Sequence, residues 1–158
     1  MRLYIFIFTA LLFLGCGSSK KISTEELDLS NRGLKKIPAW VFKYKNLKHI
    51  NLRDNLLEKF PKELSQLAKI ETILLSNNLI DSLPEEINSF KELRNLDMDG
   101  NRLKRLINLK KLENLKVITL VDNPLIEIKT LKCQIPNGTV LRHGLEFPQM
   151  IGEDCEER

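Results

Sequence analysis

Apolar residues recur at a nearly constant interval along most of the chain. Units begin at Leu47, Ile70, Leu93 and Leu115, with spacings of 23, 23 and 22 residues between these starts. Each unit has a second apolar residue three positions later and a third two positions further on: Ile50, Ile73, Leu96 and Ile118, then Leu52, Leu75, Met98 and Leu120. A fixed period of this length predicts a repeat architecture in which each unit packs against its neighbours.

The start of each unit predicts a short β-strand that ends near an asparagine. The second and third apolar residues alternate with polar ones, so both are expected to point inward from one strand. Three positions later each of the four units has an Asn: Asn55, Asn78, Asn101 and Asn123. We expect this ladder of amides to hydrogen-bond backbone groups of the bend that would otherwise be buried without partners.

The second half of each unit predicts a return path with one or two helical turns. Pro61 and Pro84 precede acidic residues and apolar residues spaced three apart, which is typical of the start of a helix. In the fourth unit Ile107 replaces this Pro, so we expect a shorter or more irregular path with Leu109 and Leu112 pointing inward.

The pattern L-x-x-L-x-L-x-x-N-x-L-x-x-L-P resembles the leucine-rich repeat over about residues 24–130. An earlier unit with Leu27, Leu29 and Ile37 completes about five repeats, although Arg32 occupies its Asn position. The resemblance implies an α/β fold, a solenoid with short parallel strands on the concave face and short helices or irregular turns on the convex face. It also implies a non-enzymatic module that binds a protein partner through the concave face.

The N-terminal residues predict export and lipid anchorage. Residues 3–14 form an apolar run of about 18 Å as a helix, which is too short to span the hydrocarbon core. Residues 12–16 resemble the lipobox of bacterial lipoproteins, which implies a signal peptide over 1–15, a lipid on Cys16 and a tether over 16–23. Because Gly rather than Asp follows Cys16, the resemblance favours the outer membrane. The alternative is an N-terminal core helix or strand.

Residues 131–158 leave the repeat and are expected to form a C-terminal cap and a solvated tail. Within them, residues 135–138 predict a turn and residues 139–141 a short strand. Cys133 and Cys155 remain as an even pair in a chain expected to be exported, which favours a disulfide that clamps the last edge. The alternative is two free thiols.

Composition argues for a globular chain without metal or cofactor chemistry. Hydrophobic residues make up 42% and charged residues 29%, while two His and three Cys leave little material for a metal site. The sequence has no Gly-rich phosphate loop, nucleophile elbow or H-E-x-x-H motif. We therefore expect no catalytic residues, cofactor or small-molecule substrate. Calcium binding by Asp97, Asp99 and Asp122 is an alternative, but the dense acidic loop typical of calcium sites is missing.

The net charge of +4 is unevenly distributed. The positions expected on the concave face hold one Arg and six acids: Glu26, Asp28, Asp54, Asp97, Asp99 and Asp122. Such a face should attract a basic protein partner and repel nucleic acid. The alternative is that these Asp residues only make the sheet soluble. The many Lys residues fall in loops and return paths, where they are solvated or contact anionic lipid headgroups.

The expected binding columns centre on seven residues: Asn51, Arg53, Leu74, Ser76, Asn77, Asp97 and Asp99. Replacing Leu74 and Asp97 by Arg is expected to abolish partner binding and to leave the fold intact. The sequence thus predicts a monomeric lipoprotein of the cell envelope, anchored to a membrane and binding a protein. The alternative is a structural envelope lipoprotein with no specific ligand.

Overall fold

The computed structural model describes residues 25–125, 132–144 and 149–150, which contain one continuous sheet of seven strands. The strands follow in chain order: β1 (Glu26–Asp28), β2 (His49–Asn51), β3 (Thr72–Leu74), β4 (Asn95–Asp97), β5 (Val117–Thr119), β6 (Val140–Arg142) and β7 (Gln149–Met150). Strands β1 to β6 are parallel, and β7 pairs antiparallel with β6. Because parallel neighbours need a crossover, the chain winds as a solenoid; we number each coil by its strand.

The core is built from two inward rows that run along the sheet. The middle residues of neighbouring strands are in register and buried: Ile50, Ile73, Leu96 and Ile118. The residue two positions later is buried in each coil as well: Leu52, Leu75, Met98 and Leu120. These rows confirm the predicted repeat solenoid with parallel strands, since no single coil can bury its own apolar side.

Short 3₁₀ helices form the return paths of the first three coils. They are η1 (Ala39–Lys43), η2 (Lys62–Gln66) and η3 (Glu85–Ser89), and each follows a Pro. Pro suits this position because the first N–H groups of a helix have no intrahelical partner. An edge-to-face contact between Phe60 and Phe90, with ring centroids 6.2 Å apart, links coils 2 and 3.

The fourth coil returns without a helix over residues 102–116, in agreement with the expectation from Ile107. Leu109 and Leu112 are fully buried on its inner side. Asn88 of η3 donates from Nδ2 to the carbonyl of Asn108 at 3.0 Å, so a side chain from coil 3 supports the irregular path.

The segment predicted as a cap first continues the solenoid. It contains η4 (Lys132–Gln134), a turn at Asn137 and Gly138, and then β6, which adds a sixth parallel strand beyond the five predicted repeats. The buried Thr139 hydroxyl donates to the carbonyl of Leu115 at 3.0 Å. Antiparallel pairing of β7 with β6 then ends the parallel run.

The predicted signal peptide, Cys16, the tether and Cys155 lie outside the described residues. Lipidation of Cys16 and a Cys133–Cys155 disulfide therefore stay predictions. Where the structure describes the chain, no helix has the length and apolar character needed to cross a bilayer.

Candidate protein-binding surface

The first and third residues of each strand point away from the core and form what we term the open sheet face. In register, the first positions are Glu26, His49, Thr72, Asn95, Val117 and Val140. The third positions are Asp28, Asn51, Leu74, Asp97, Thr119 and Arg142. Neighbouring strands lie about 4.8 Å apart, so side chains within a column can contact one another. Three of the predicted binding residues, Asn51, Leu74 and Asp97, are neighbours in the second column.

Several polar residues of the second column hydrogen-bond their own backbone. Asp28 Oδ1 accepts from the N–H of Ser30 at 2.8 Å, and Asn51 Oδ1 accepts from the N–H of Arg53 at 3.2 Å. Asp97 Oδ1 likewise accepts from the N–H of Asp99 at 3.2 Å. The side-chain and backbone hydrogen bonds from Ser30 hold the pKa of Asp28 below its ordinary value. These Asp and Asn residues therefore form Asx turns, which stabilise the bend after each strand.

Arg53, Ser76, Asp97 and Thr119 form one polar network across coils 2 to 5. Arg53 Nε donates to Ser76 Oγ at 2.9 Å and to Asp97 Oδ2 at 3.0 Å. Thr119 Oγ1 donates to Asp97 Oδ1 at 2.9 Å, so both carboxylate oxygens have partners. An Arg at position 97 would lose these bonds and face Arg53. These contacts argue against the expectation that Asp97→Arg leaves the fold intact, so Leu74→Arg alone is the cleaner variant.

Asp97 and Asp99 have pKa shifts of opposite direction. Burial by itself raises the pKa of Asp97, but hydrogen bonds from Arg53, from the Asp99 N–H and from Thr119 together hold that pKa below its ordinary value of 3.8. Burial also raises the pKa of Asp99, and there the negative charges of Asp97 and Asp122 raise it further. The Val121 N–H, which donates to Asp99 Oδ1 at 2.8 Å, offsets this only in part.

The residue before each ladder position lies in the left-handed region of the backbone. These residues are Asn31, Asp54, Asn77, Gly100 and Asp122, with φ between +54° and +60°. Asn, Asp and Gly adopt this conformation more readily than other residues. The backbone conformation thus accounts for the residue type at Asn77, one of the predicted binding residues. Its Nδ2 donates to Asp54 Oδ1 at 2.9 Å. The repeated Asn, Asp or Gly at this position was the signal in the sequence.

Each ladder Asn joins two coils. Asn55 Nδ2 donates to the carbonyl of Leu29 in coil 1 and to that of Leu52 in its own coil, both at 2.9 Å. Its Oδ1 accepts from the N–H of Leu34 in coil 1 at 2.9 Å. Asn78, Asn101 and Asn123 repeat this pattern one coil further each time. Since the ladder serves the preceding coil, coil 1 can have Arg32 at this position.

Comparisons with known proteins agree with this geometry. A family model described as leucine rich repeat matches residues 22–80. The solved structure of an LRR protein from Leptospira interrogans is similar, with 30% sequence identity and a TM-score of 0.61 over 75% of this chain. The fold is that of a leucine-rich repeat protein. The match covers 32% of the Leptospira chain, so this protein spans about a third of that length. No curated protein matches the chain.

The open sheet face of this leucine-rich repeat solenoid keeps one apolar position in its second column. Leu74 is half-buried and lies in register between Asn51 and Asp97. The first column beside it holds His49, Thr72 and Asn95, which are half-buried or exposed. Among the described residues, no group of three or more His, Cys, Asp or Glu side chains could hold a metal ion. The arrangement presents side chains for contact with another protein, as the sheets of repeat solenoids do.

Proposed function

We propose that this leucine-rich repeat protein is a lipid-anchored, exported protein that binds a protein partner through the open sheet face around Leu74. The observation that supports the site is the position of Leu74, an apolar side chain in a column whose other members are polar. Interfaces combine an apolar centre with a polar rim, and the energy comes mainly from the centre. His49, Thr72 and Asn95 would supply part of the rim.

The proposed partner is basic, and the charge that would attract it comes from acids outside the polar network. Arg53 compensates the charge of Asp97, and this pair adds little to the field. The exposed acids Glu26, Asp28, Asp54 and Asp122 remain uncompensated by salt bridges within the described residues. Exposed charges of one sign mainly raise the association rate, and salt screens that effect.

The proposed anchor is the lipid on Cys16 after removal of residues 1–15. Two or three acyl chains hold a protein firmly, because each buried CH₂ contributes about 0.8 kcal/mol. Residues 17–24 would extend over at most about 28 Å, which keeps the partner close to the membrane. The outer membrane is the proposed location.

Affinity capture from the membrane fraction with the wild type, Leu74→Arg and Leu56→Arg tests the binding site. Leu56 is 43% exposed and follows a ladder Asn, so Leu56→Arg is a matched change away from the two columns. We expect the wild type and Leu56→Arg to capture the same partner, less at high salt, and Leu74→Arg to lose it. Equal capture by all three variants would contradict the site. Recovery of nothing would support the alternative, a structural envelope lipoprotein.

Mass spectrometry of the intact protein extracted from membranes tests the anchor. We expect a mass that corresponds to cleavage before Cys16 and addition of two or three acyl chains. Alkylation without reductant in the same experiment should leave Cys133 and Cys155 unmodified if they are bridged. An unprocessed chain with an unmodified Cys16 would exclude the anchor but leave the binding site untouched.

A further inference from the structure

The outer side of coil 1 carries a concentration of positive charge. Between Asp28 and Asp54 the sequence has seven Lys and Arg residues and no Asp or Glu. Two of these cations have acidic partners, since Lys48 pairs with Glu25 and Arg53 with Asp97. Four exposed lysines of the return path have no ion-pair partner among the described residues: Lys35, Lys36, Lys43 and Lys45.

Two aromatic side chains are exposed among these lysines. Trp40 is 42% exposed and Tyr44 is 39% exposed, and their rings meet edge to face with centroids 6.0 Å apart. Trp40 precedes and Tyr44 follows Val41, the buried residue through which η1 packs against the core. Trp40 and Lys43 are three residues apart in a 3₁₀ helix, so they lie on the same side of it.

An apolar groove of about 680 Å³ runs beside η1. Phe42 and Phe60 line it, and Lys35 and Lys36 stand at its coil 1 side. On the coil 2 side, Lys59 is 2.9 Å from Asp81 and Lys62 is 3.8 Å from Glu86, so both cations have acidic partners of their own. Glu58 and Glu63 line that side as well. The uncompensated cations of the groove therefore belong to coil 1, on the same return path as the aromatic pair.

We propose that this surface, formed by Lys35, Lys36, Trp40, Lys43, Tyr44 and Lys45, docks on the headgroup region of an anionic lipid bilayer. Exposed lysines attract anionic headgroups, and Trp and Tyr favour the boundary between headgroups and acyl chains. The inference rests on the proposed anchor for one point only, that the bilayer is near coil 1, because the predicted tether over residues 16–23 closely precedes β1 in the sequence. The surface lies on the return path, so docking leaves the open sheet face to the protein partner.

The fluorescence of Trp40 tests the proposal because it is the only Trp of the chain. The full chain is reconstituted into phosphatidylcholine vesicles with and without phosphatidylglycerol. Because the N-terminal residues are present in both preparations, the proposed anchor is the same and only the lipid charge differs. Trp40 emission and its quenching by lipids with brominated acyl chains then report docking of coil 1. We expect a blue shift and quenching only with phosphatidylglycerol, and their loss at high salt.

Two matched double variants separate this surface from the net charge. Each lysine near an anionic surface contributes about fivefold to binding, so Lys35→Gln with Lys36→Gln should lower the ratio of docked to undocked protein about 25-fold. Lys110→Gln with Lys111→Gln removes the same charge from exposed positions of coil 4 and should leave docking unchanged. Equal losses in both variants would overturn the proposal.

Other outcomes distinguish an anionic bilayer from other possible partners of this surface. Trp40 emission that is equally blue-shifted in both kinds of vesicle would show that its environment does not depend on anionic headgroups, and would overturn the proposal. A shift that requires an added acidic protein, and not phosphatidylglycerol, would overturn it too. If the chain separates from phosphatidylcholine vesicles on flotation, the proposed lipid anchor is contradicted. If Trp40 emission of that chain still shifts to the blue on vesicles with phosphatidylglycerol, the docking proposal holds without the anchor.

Discussion

Arg53 and Asp97 are 44 residues apart in the sequence and are joined by a salt bridge that passes over coil 3. Arg53 Nε also donates to Ser76 Oγ, so the side chain between the two ends takes part in the same network. The polar residues of the open sheet face thus hold one another in place. A partner that docks there meets a pre-arranged surface, which lowers the entropy that binding costs.

Removal of Arg53 should destabilise the protein. The Asp97 side chain is only 13% exposed, so Arg53→Met leaves a largely buried carboxylate without its cation. We expect the free energy of unfolding to fall by about 1–3 kcal/mol. A double-mutant cycle with Asp97→Asn, followed by urea unfolding and circular dichroism, should give a coupling energy of about 1 kcal/mol or more.

The matched control for this cycle is the pair of Lys59 and Asp81, whose side chains are 73% and 50% exposed. Solvent screens such a pair, and the cycle with Lys59→Met and Asp81→Asn should give about 0.2–1 kcal/mol. If the Arg53–Asp97 pair showed no larger coupling than this exposed pair, the polar network would not be fixed in solution.

Asp99→Asn should stabilise the protein at neutral pH. The folded pKa of Asp99 lies above its ordinary value of 3.8, so ionisation costs the folded state more than the unfolded state. This penalty is complete above the folded pKa and disappears below 3.8. Asn keeps an acceptor for the Val121 N–H. Thermal unfolding across pH should show a higher Tm for Asp99→Asn at pH 7 and an advantage that shrinks towards pH 3.8.

Asp97→Asn should show the opposite sign in the same measurement. The folded pKa of Asp97 lies below 3.8, so its stabilisation is present above 3.8 and is lost as the pH falls through the folded pKa. We expect Asp97→Asn to lower the Tm at pH 7 and to approach the wild type in acid. If both variants shifted the Tm in one direction at pH 7, the two carboxyl groups would not differ as described.

The inward rows of the solenoid could be predicted from the sequence, whereas the bonding on its open face could not. Leu52 and Leu75 occupy equivalent places in equivalent coils, so the period alone defines their environment. The contact between Arg53 and Asp97 depends on the register of β2 against β4, and no period encodes which polar residues of different coils pair.

The sixth parallel strand was missed as a coil for a related reason. Val140 to Arg142 continue the register of β5, but the residues after them do not repeat the Leu and Asn positions. A strand needs only one buried residue, Leu141, to join the stack. The ladder is dispensable there because β7 returns antiparallel and ends the row of coils.

Asn78→Ala should be one of the most damaging substitutions in the chain. Asn78 is 4% exposed, donates to the carbonyls of Leu52 and Leu75, and accepts from the N–H of Leu57. Its removal leaves buried backbone groups of two coils without partners, so we expect a loss of about 3 kcal/mol in urea unfolding. The exposed Asn46, which accepts from Lys69 Nζ at 2.8 Å, is the control, and Asn46→Ala should stay within about 0.5 kcal/mol. Similar losses would mean that the ladder does not bear on stability.

Gly100→Ala should reveal how closely adjacent coils approach at the left-handed position. Gly100 has φ +60°, and a Cβ there would collide with Oδ1 of Asn77 in the preceding coil. Gly33 has φ +62° with nothing within 4 Å of such a Cβ, so Gly33→Ala carries the backbone strain alone, about 1 kcal/mol. In Gly100→Ala, Asn77 must also move and give up its hydrogen bond to Asp54, which should add about 1 kcal/mol. Urea unfolding of the two variants side by side isolates that difference, and equal losses would show that the coils yield at no cost.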